Sequence, residues 1–197
     1  MSAFLAEGVV RDGYLPLRHP VSSLALGPRG WVQTANFALA GTLALAGAAG
    51  LARADDSLVG RRAAPALIGA AGAGLLCSAI FATDPVSGYP PGTPEAPARP
   101  SRTGAAHTLA ALPVFAGLPA AALISGRRAS RAGQRGPALG GTATAVIMVA
   151  AMALAGAGFG QAPRLVGLGG LFQRISIIAG FSWLTAVAAR ALRHARG

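Results

Sequence analysis

The chain is expected to fold as an all-α, polytopic transmembrane helix bundle, and three observations predict it. Only 12% of its 197 residues are charged, against 53% hydrophobic, where a soluble domain carries about 25% charged residues. Mean hydropathy is +0.53. Five apolar runs recur along the chain, each close to the length of about 20 residues that crosses a hydrocarbon core. Intrinsic disorder is excluded by the same composition. Backbone groups in lipid must be satisfied within their own segment, and the runs lack period-two alternation, so helices are expected rather than a barrel.

In chain order, the helices are placed at about 31–52, 63–83, 104–126, 137–160 and 169–192, all in one transmembrane domain spanning 1–197. Met1 to Val10 is too short to span and has no basic n-region of a signal peptide. In the Leu17 to Gly27 stretch, Pro20 suits the start of a short helix, and Val21, Leu24 and Leu26 are expected along the membrane interface. Between the second and third helices, Pro85, Pro90, Pro91, Pro94, Pro97 and Pro100 predict an extended loop of polyproline character. Glycine pairs such as Gly136/Gly140 and Gly156/Gly160 predict close helix packing, without specifying a dimer interface. The single Cys77 lies in an apolar run and forms no intramolecular disulfide.

All seventeen basic residues are arginine, against six acids, which together with heavy use of Ala, Gly and Pro points to a high-G+C bacterial source. The arginines fall between the apolar runs, as positive-inside loops require, and nucleic acid is not expected as a partner. Five spans put Arg53, Arg61, Arg62, Arg127, Arg128, Arg131, Arg135, Arg190, Arg193 and Arg196 on one side. Arg11, Arg18, Arg29, Arg99, Arg102, Arg164 and Arg174 fall on the other. The carboxyl terminus is therefore expected in the cytoplasm, in a multi-pass protein of the cell membrane.

Ionisable and amide residues at membrane depth point to function, because they normally face the bundle interior. Here they gather at one level, the predicted outer side: His19, Ser22 and Ser23 before the first helix, Gln33 and Asn36 in its first turns, Asp84 after the second. His107 lies one turn into the third helix, and Gln173 and Arg174 open the fifth.

The strings Leu17-Arg18-His19-Pro20-Val21-Ser22-Ser23-Leu24, Gly30-Trp31-Val32-Gln33-Thr34-Ala35-Asn36-Phe37, Phe81-Ala82-Thr83-Asp84-Pro85 and Gly88-Tyr89-Pro90-Pro91-Gly92, with His107 and Gln173-Arg174, resemble the prokaryotic membrane proteins grouped as domain of unknown function 998. The resemblance covers nearly the whole chain and implies a six-helix membrane protein of unestablished role. It assigns His19, Ser22, Asn36, Asp84, His107 and Arg174 to motif positions. It also implies a further helix before the His-Pro-Val-Ser string, where this chain has only Met1 to Val10, as a truncated start or a lost helix would leave it.

Several chemistries are open to these residues. His19, Asp84 and His107 could hold zinc with one position open, making a hydrolase that acts on lipid; the alternative is a hydrogen-bonded cluster tying helix ends. Ser22, His19 and Asp84 could be drawn as nucleophile, base and orienter, although Ser22 also suits a helix start. Arg174 could bind an anion, pair with Asp84 or snorkel to the interface. Trp31, Tyr89 and Trp183 are expected as interfacial or packing aromatics. The leading expectation is an outward polar cluster that binds a lipid headgroup or small anionic ligand, with membrane lipids as partners and no cofactor. A solute transporter would need polar residues continuing through the bilayer.

Overall fold

The computed structural model describes residues 2–54, 59–95 and 99–194; Pro97 of the expected proline loop and Arg196 lie outside them. A short helix α1 (Ser2–Val10) and a 3-10 turn (Val21–Ala25) precede α2 (Gly30–Arg53) and α3 (Ala63–Ile80). Next come α4 (Arg102–Leu112), a π-helical turn (Pro113–Gly117) and α5 (Leu118–Arg131), which form one continuous rod. The bundle closes with α6 (Arg135–Phe159) and α7 (Gly169–His194). Five of these rods are long and apolar enough to span a membrane. The protein is thus an all-helical, multi-pass membrane protein. Neighbours in sequence pack against one another, α2 on α3, α5 on α6 and α6 on α7, while α3 also meets α4, the π turn and α5.

Large apolar side chains point outward, among them Leu39, Leu43, Leu139, Val146 and Val149. That inverts a soluble protein's surface and suits a lipid surround. The core needs little bulk because backbones approach closely. A Cβ on Gly41 would stand 2.7 Å from the Gly72 carbonyl, and one on Gly72 would stand 2.9 Å from the Gly41 carbonyl, so α2 and α3 meet at that pair. Likewise Gly141 of α6 faces Ala122 and Gly126 of α5. The contacts are not those of the Gly136/Gly140 spacing: both glycines face open space, as does Gly156. Sequence spacing marks a small-residue face without saying which face finds a neighbour.

Two further expectations are corrected. Leu24 is fully buried rather than interfacial, packed with Phe4, Tyr14, Val21 and Tyr89. The proline-rich segment is folded back on itself instead of extended: Ser87 donates its N–H to the Glu95 carbonyl (2.7 Å), and Val86 bridges Tyr89. Positive φ angles at Gly88 (76°) and Gly92 (87°) make those reversals possible, because glycine lacks the Cβ that would clash there. The Tyr89–Pro90 bond is cis.

The helices leave the bundle with two unlike ends. One holds the starts of α2, α4 and α7, together with α1 and the folded loops; it is termed the loop-rich end. The other holds the starts of α3 and α6 and the ends of α5 and α7, with most of the arginines.

Candidate functional site

The segment from Arg11 to Arg29 is largely irregular yet covered, so its carbonyls need donors other than water. Two arginines supply them. Arg174, 6% exposed, donates from Nη1 to the carbonyls of Pro16 (2.5 Å), Gly170 (3.1 Å) and His19 (3.3 Å), and from Nη2 to the Tyr14 hydroxyl (2.7 Å). Arg11 bonds Glu7 at 2.7 Å and donates to the carbonyls of Leu24, Leu26 and Arg29. Arg29 completes an ion pair on the second oxygen of Glu7. The Arg11 hydrogen bond, aided by Arg29, holds the Glu7 carboxyl below its usual range against the opposing effect of burial. Glu7 and Arg11, four residues apart, were a legible helix pair, but not as the anchor of a loop.

His19 belongs to this knot. Its Nδ1 accepts the Leu15 N–H at 2.9 Å, and its ring packs against Tyr14 and Tyr89 with centroids 5.3 and 5.2 Å away. Burial, reinforced by the Arg18 charge, lowers its pKa. The neutral ring is the form that can accept the Leu15 N–H. Burial likewise raises the Tyr14 pKa, opposed by Arg174.

Asp84 has a third task. Its Oδ2 accepts the Ser101 N–H at 2.9 Å, while the Ser101 hydroxyl accepts the Gly104 N–H at 2.9 Å. Together they cap the start of α4, with the outer acceptor supplied by a distant loop. A Cβ at Gly104 would collide with the Asp84 carboxylate.

Beside the knot opens a cavity of about 390 Å³, within the range of small-molecule sites. The polar residues of its lining are Ser22, Gln33, Asn36, Ser78, Thr83, His107, Thr108 and Gln173. Asn36 donates to Gln33 Oε1 at 3.3 Å, and Gln173 Oε1 accepts the Val21 N–H at 2.7 Å. His107 Nδ1 donates to the Phe81 carbonyl at 2.8 Å and its ring lies edge-on to Phe37, centroids 5.9 Å apart. α3 stops at Ile80, short of the expected 83, and a carbonyl at a helix end has no intrahelical partner. Among the described residues Gln33 Nε2 has no partner, although the residue is only 1% exposed. Buried amides are nearly always paired, so this one is an exception within the lining.

The rest of the lining is largely apolar, from Phe4, Val21, Val86 and Phe159 at the loop-rich end to Leu75, Val114, Phe115, Met152, Ile177 and Phe181 within the bundle. The walls run from Gln33 to Ala40 on α2 and from Gln173 to Phe181 on α7, a depth of about 10–12 Å at 1.5 Å per residue. The π turn at Pro113–Gly117 forms part of the floor. Pro113 cannot donate into the helix ladder, and the widened turn is the usual accommodation. Among the lining residues there is no Arg, Asp or Glu.

The expected cluster is therefore divided. Ser22, Asn36 and His107 line the cavity; His19 and Arg174 build the knot; Asp84 caps α4. Among the described residues no group of three His, Cys, Asp or Glu side chains could hold a metal, so His19, Asp84 and His107 do not form the zinc site considered from sequence. Arg174 does not pair with Asp84; its donors are taken by backbone oxygens and Tyr14. Tyr89 is buried in the knot and Trp183 in the core, while Trp31 is 70% exposed. Phe4, Ser78, Thr83 and Thr108 also line the cavity and had no signal in the sequence beyond lying near helix ends.

No curated protein and no solved structure matches the chain. A family model described as "Protein of unknown function (DUF998)" matches residues 1–190. With all but the last few residues covered, and with a multi-pass helical fold around the matched segment, this chain belongs to the DUF998 family.

Proposed function

We propose that the protein binds a single-chain amphiphile, apolar tail down in the cavity and uncharged hydrogen-bonding head at Gln33, Asn36, Ser22 and His107. The observation that carries this reading is a cavity of about 390 Å³ whose lining joins hydroxyl, amide and imidazole side chains from several helix ends to a mostly apolar remainder. The lining has no cation, and Arg174 is committed elsewhere, so a neutral head such as a glycerol or amide is favoured over a carboxylate or phosphate. A transport path would need polar side chains to continue past Leu75, Val114 and Phe181, where the lining is apolar. In this proposal the arginine-rich end faces the cytoplasm of a bacterial cell and the cavity opens near the outer leaflet, following the arginine asymmetry.

The test is native mass spectrometry of the delipidated full chain with monoolein and with oleate. Monoolein is expected to bind one to one and more tightly than oleate, and Ala40→Trp, which fills the cavity, to abolish binding. Equal retention by the filled variant, or preference for oleate, would remove the reading.

A further inference from the structure

The arginine-rich end carries a separate groove of about 340 Å³ between the start of α6 and the last turns of α7. Trp183 and Val187 form its apolar part, and Gly136, Pro137 and Gly140 its α6 wall. Arg190 and Arg193 line it from α7, three residues apart and so on one helix face. No Asp or Glu is among the lining residues.

Opposite the two arginines, α6 begins with little to compensate its amides. Its N-cap residue Gln134 makes no side-chain cap hydrogen bond, and its first turn contains no acid. The Gln134 N–H is bonded to the Ala129 carbonyl and Pro137 has no N–H, so the Arg135 and Gly136 N–H groups and the positive end of the helix dipole are what favour an anion there. Ser125 of α5 borders the groove, with its hydroxyl buried and without a partner among the described residues. The surrounding charge agrees, with ten arginines in the connections and tail at this end by sequence against Asp55 and Asp56, which lie outside the described residues.

We infer that this groove binds the phosphate-bearing headgroup of an anionic phospholipid. The phosphate lies between Arg193 and the first turn of α6, and the acyl chain follows Val187 and the outward face of α6. Lipid rather than free phosphate is indicated because much of the lining is apolar and the adjoining α6 surface exposes Leu139 (71%) and Val146 (62%). Positions 136 and 140 have open space where a Cβ would stand, so the groove is not closed by another element. The site is independent of the cavity at the loop-rich end.

The experiment uses the delipidated full chain in detergent, titrated by native mass spectrometry with phosphatidylglycerol, with phosphatidylcholine of the same chains, and with inorganic phosphate. Three variants accompany it: Arg193→Gln, Gly140→Leu and Arg127→Gln. Gly140→Leu obstructs the groove while retaining every arginine, and it favours the helix. Arg127 is exposed at the same end but does not line the groove. The expected result is one phosphatidylglycerol held in preference to phosphatidylcholine, weakened about fivefold by Arg193→Gln, as for one guanidinium at a lipid surface. Gly140→Leu is expected to weaken it at least as much, and Arg127→Gln to leave it unchanged. Equal losses from Arg193→Gln and Arg127→Gln would overturn the site in favour of diffuse attraction. So would wild-type binding by Gly140→Leu, absence of a phosphatidylglycerol adduct, or inorganic phosphate binding as tightly as the lipid.

Discussion

The two ends of the bundle use arginine in opposite ways. At the loop-rich end, Arg11 and Arg174 are buried and spend their donors on Glu7, Tyr14 and loop carbonyls. At the other end, Arg127 and Arg193 remain exposed at helix ends. The difference follows from the backbone. Irregular covered chain presents carbonyls that helices would have satisfied themselves, and a guanidinium with five donors can serve several at once. Where connections are short, the same residue is left to meet water, lipid phosphate or a neighbouring acid.

The contrast predicts its largest effect at the knot. Arg174→Gln is expected to cost about 3 kcal/mol or more, because it removes charge-assisted hydrogen bonds and leaves buried carbonyls without a donor. Arg193→Gln should change stability by less than about 0.5 kcal/mol, as exposed substitutions do. Thermal unfolding in detergent, followed by tryptophan fluorescence, reads both; similar shifts for the two would erase the distinction between the ends.

Next in size is the cap. Asp84→Ala should lower stability by about 0.5–2 kcal/mol through lost capping of α4. Gln33→Leu offers the opposite sign. It removes an unpartnered buried amide, so the melting temperature should hold or rise while monoolein binding falls. A fall in both would make Gln33 a structural residue.

The knot should also respond to pH. His19 has a folded pKa below its unfolded value of about 6.5. The fold thus disfavours the proton, and the stability this contributes is present above about pH 6.5 and lost as pH falls through the folded value. Melting temperature is expected to be flat above pH 7 and to decline on acidification, with part of the decline absent in His19→Asn, whose amide oxygen can accept the Leu15 N–H. A small effect is also expected at the Arg18–Glu95 pair, 2.5 Å apart with side chains 30% and 54% exposed; Glu95→Gln should cost no more than about 1 kcal/mol.

Much of the fold was legible because lipid imposes a length rule and a rule against unsatisfied backbone. Both act on single segments, so the five spans could be read from apolar runs alone. The polar level was legible too: Ser22, Asn36, His107, His19, Asp84 and Arg174 all lie toward the loop-rich end. Their sorting was not. Whether Arg174 meets an anion, Asp84 or a carbonyl depends on the path of residues 11–29, and that path is set by turns and by a packed cluster around Leu24 and Tyr89, not by any periodic pattern. The cavity floor was equally hidden, since Pro113 announces an irregularity in the third span without showing where the widened turn points.

By itself, then, the sequence determined a helical membrane bundle, its number of spans and the unequal distribution of arginine, because these follow from composition and from constraints within each helix. The tertiary structure decided which glycines touch, which arginines become internal donors, and that Gln33 and His107 rather than Arg174 face a cavity. Those outcomes depend on which helix faces meet, and a contact between residues far apart in the chain leaves no local trace in either partner.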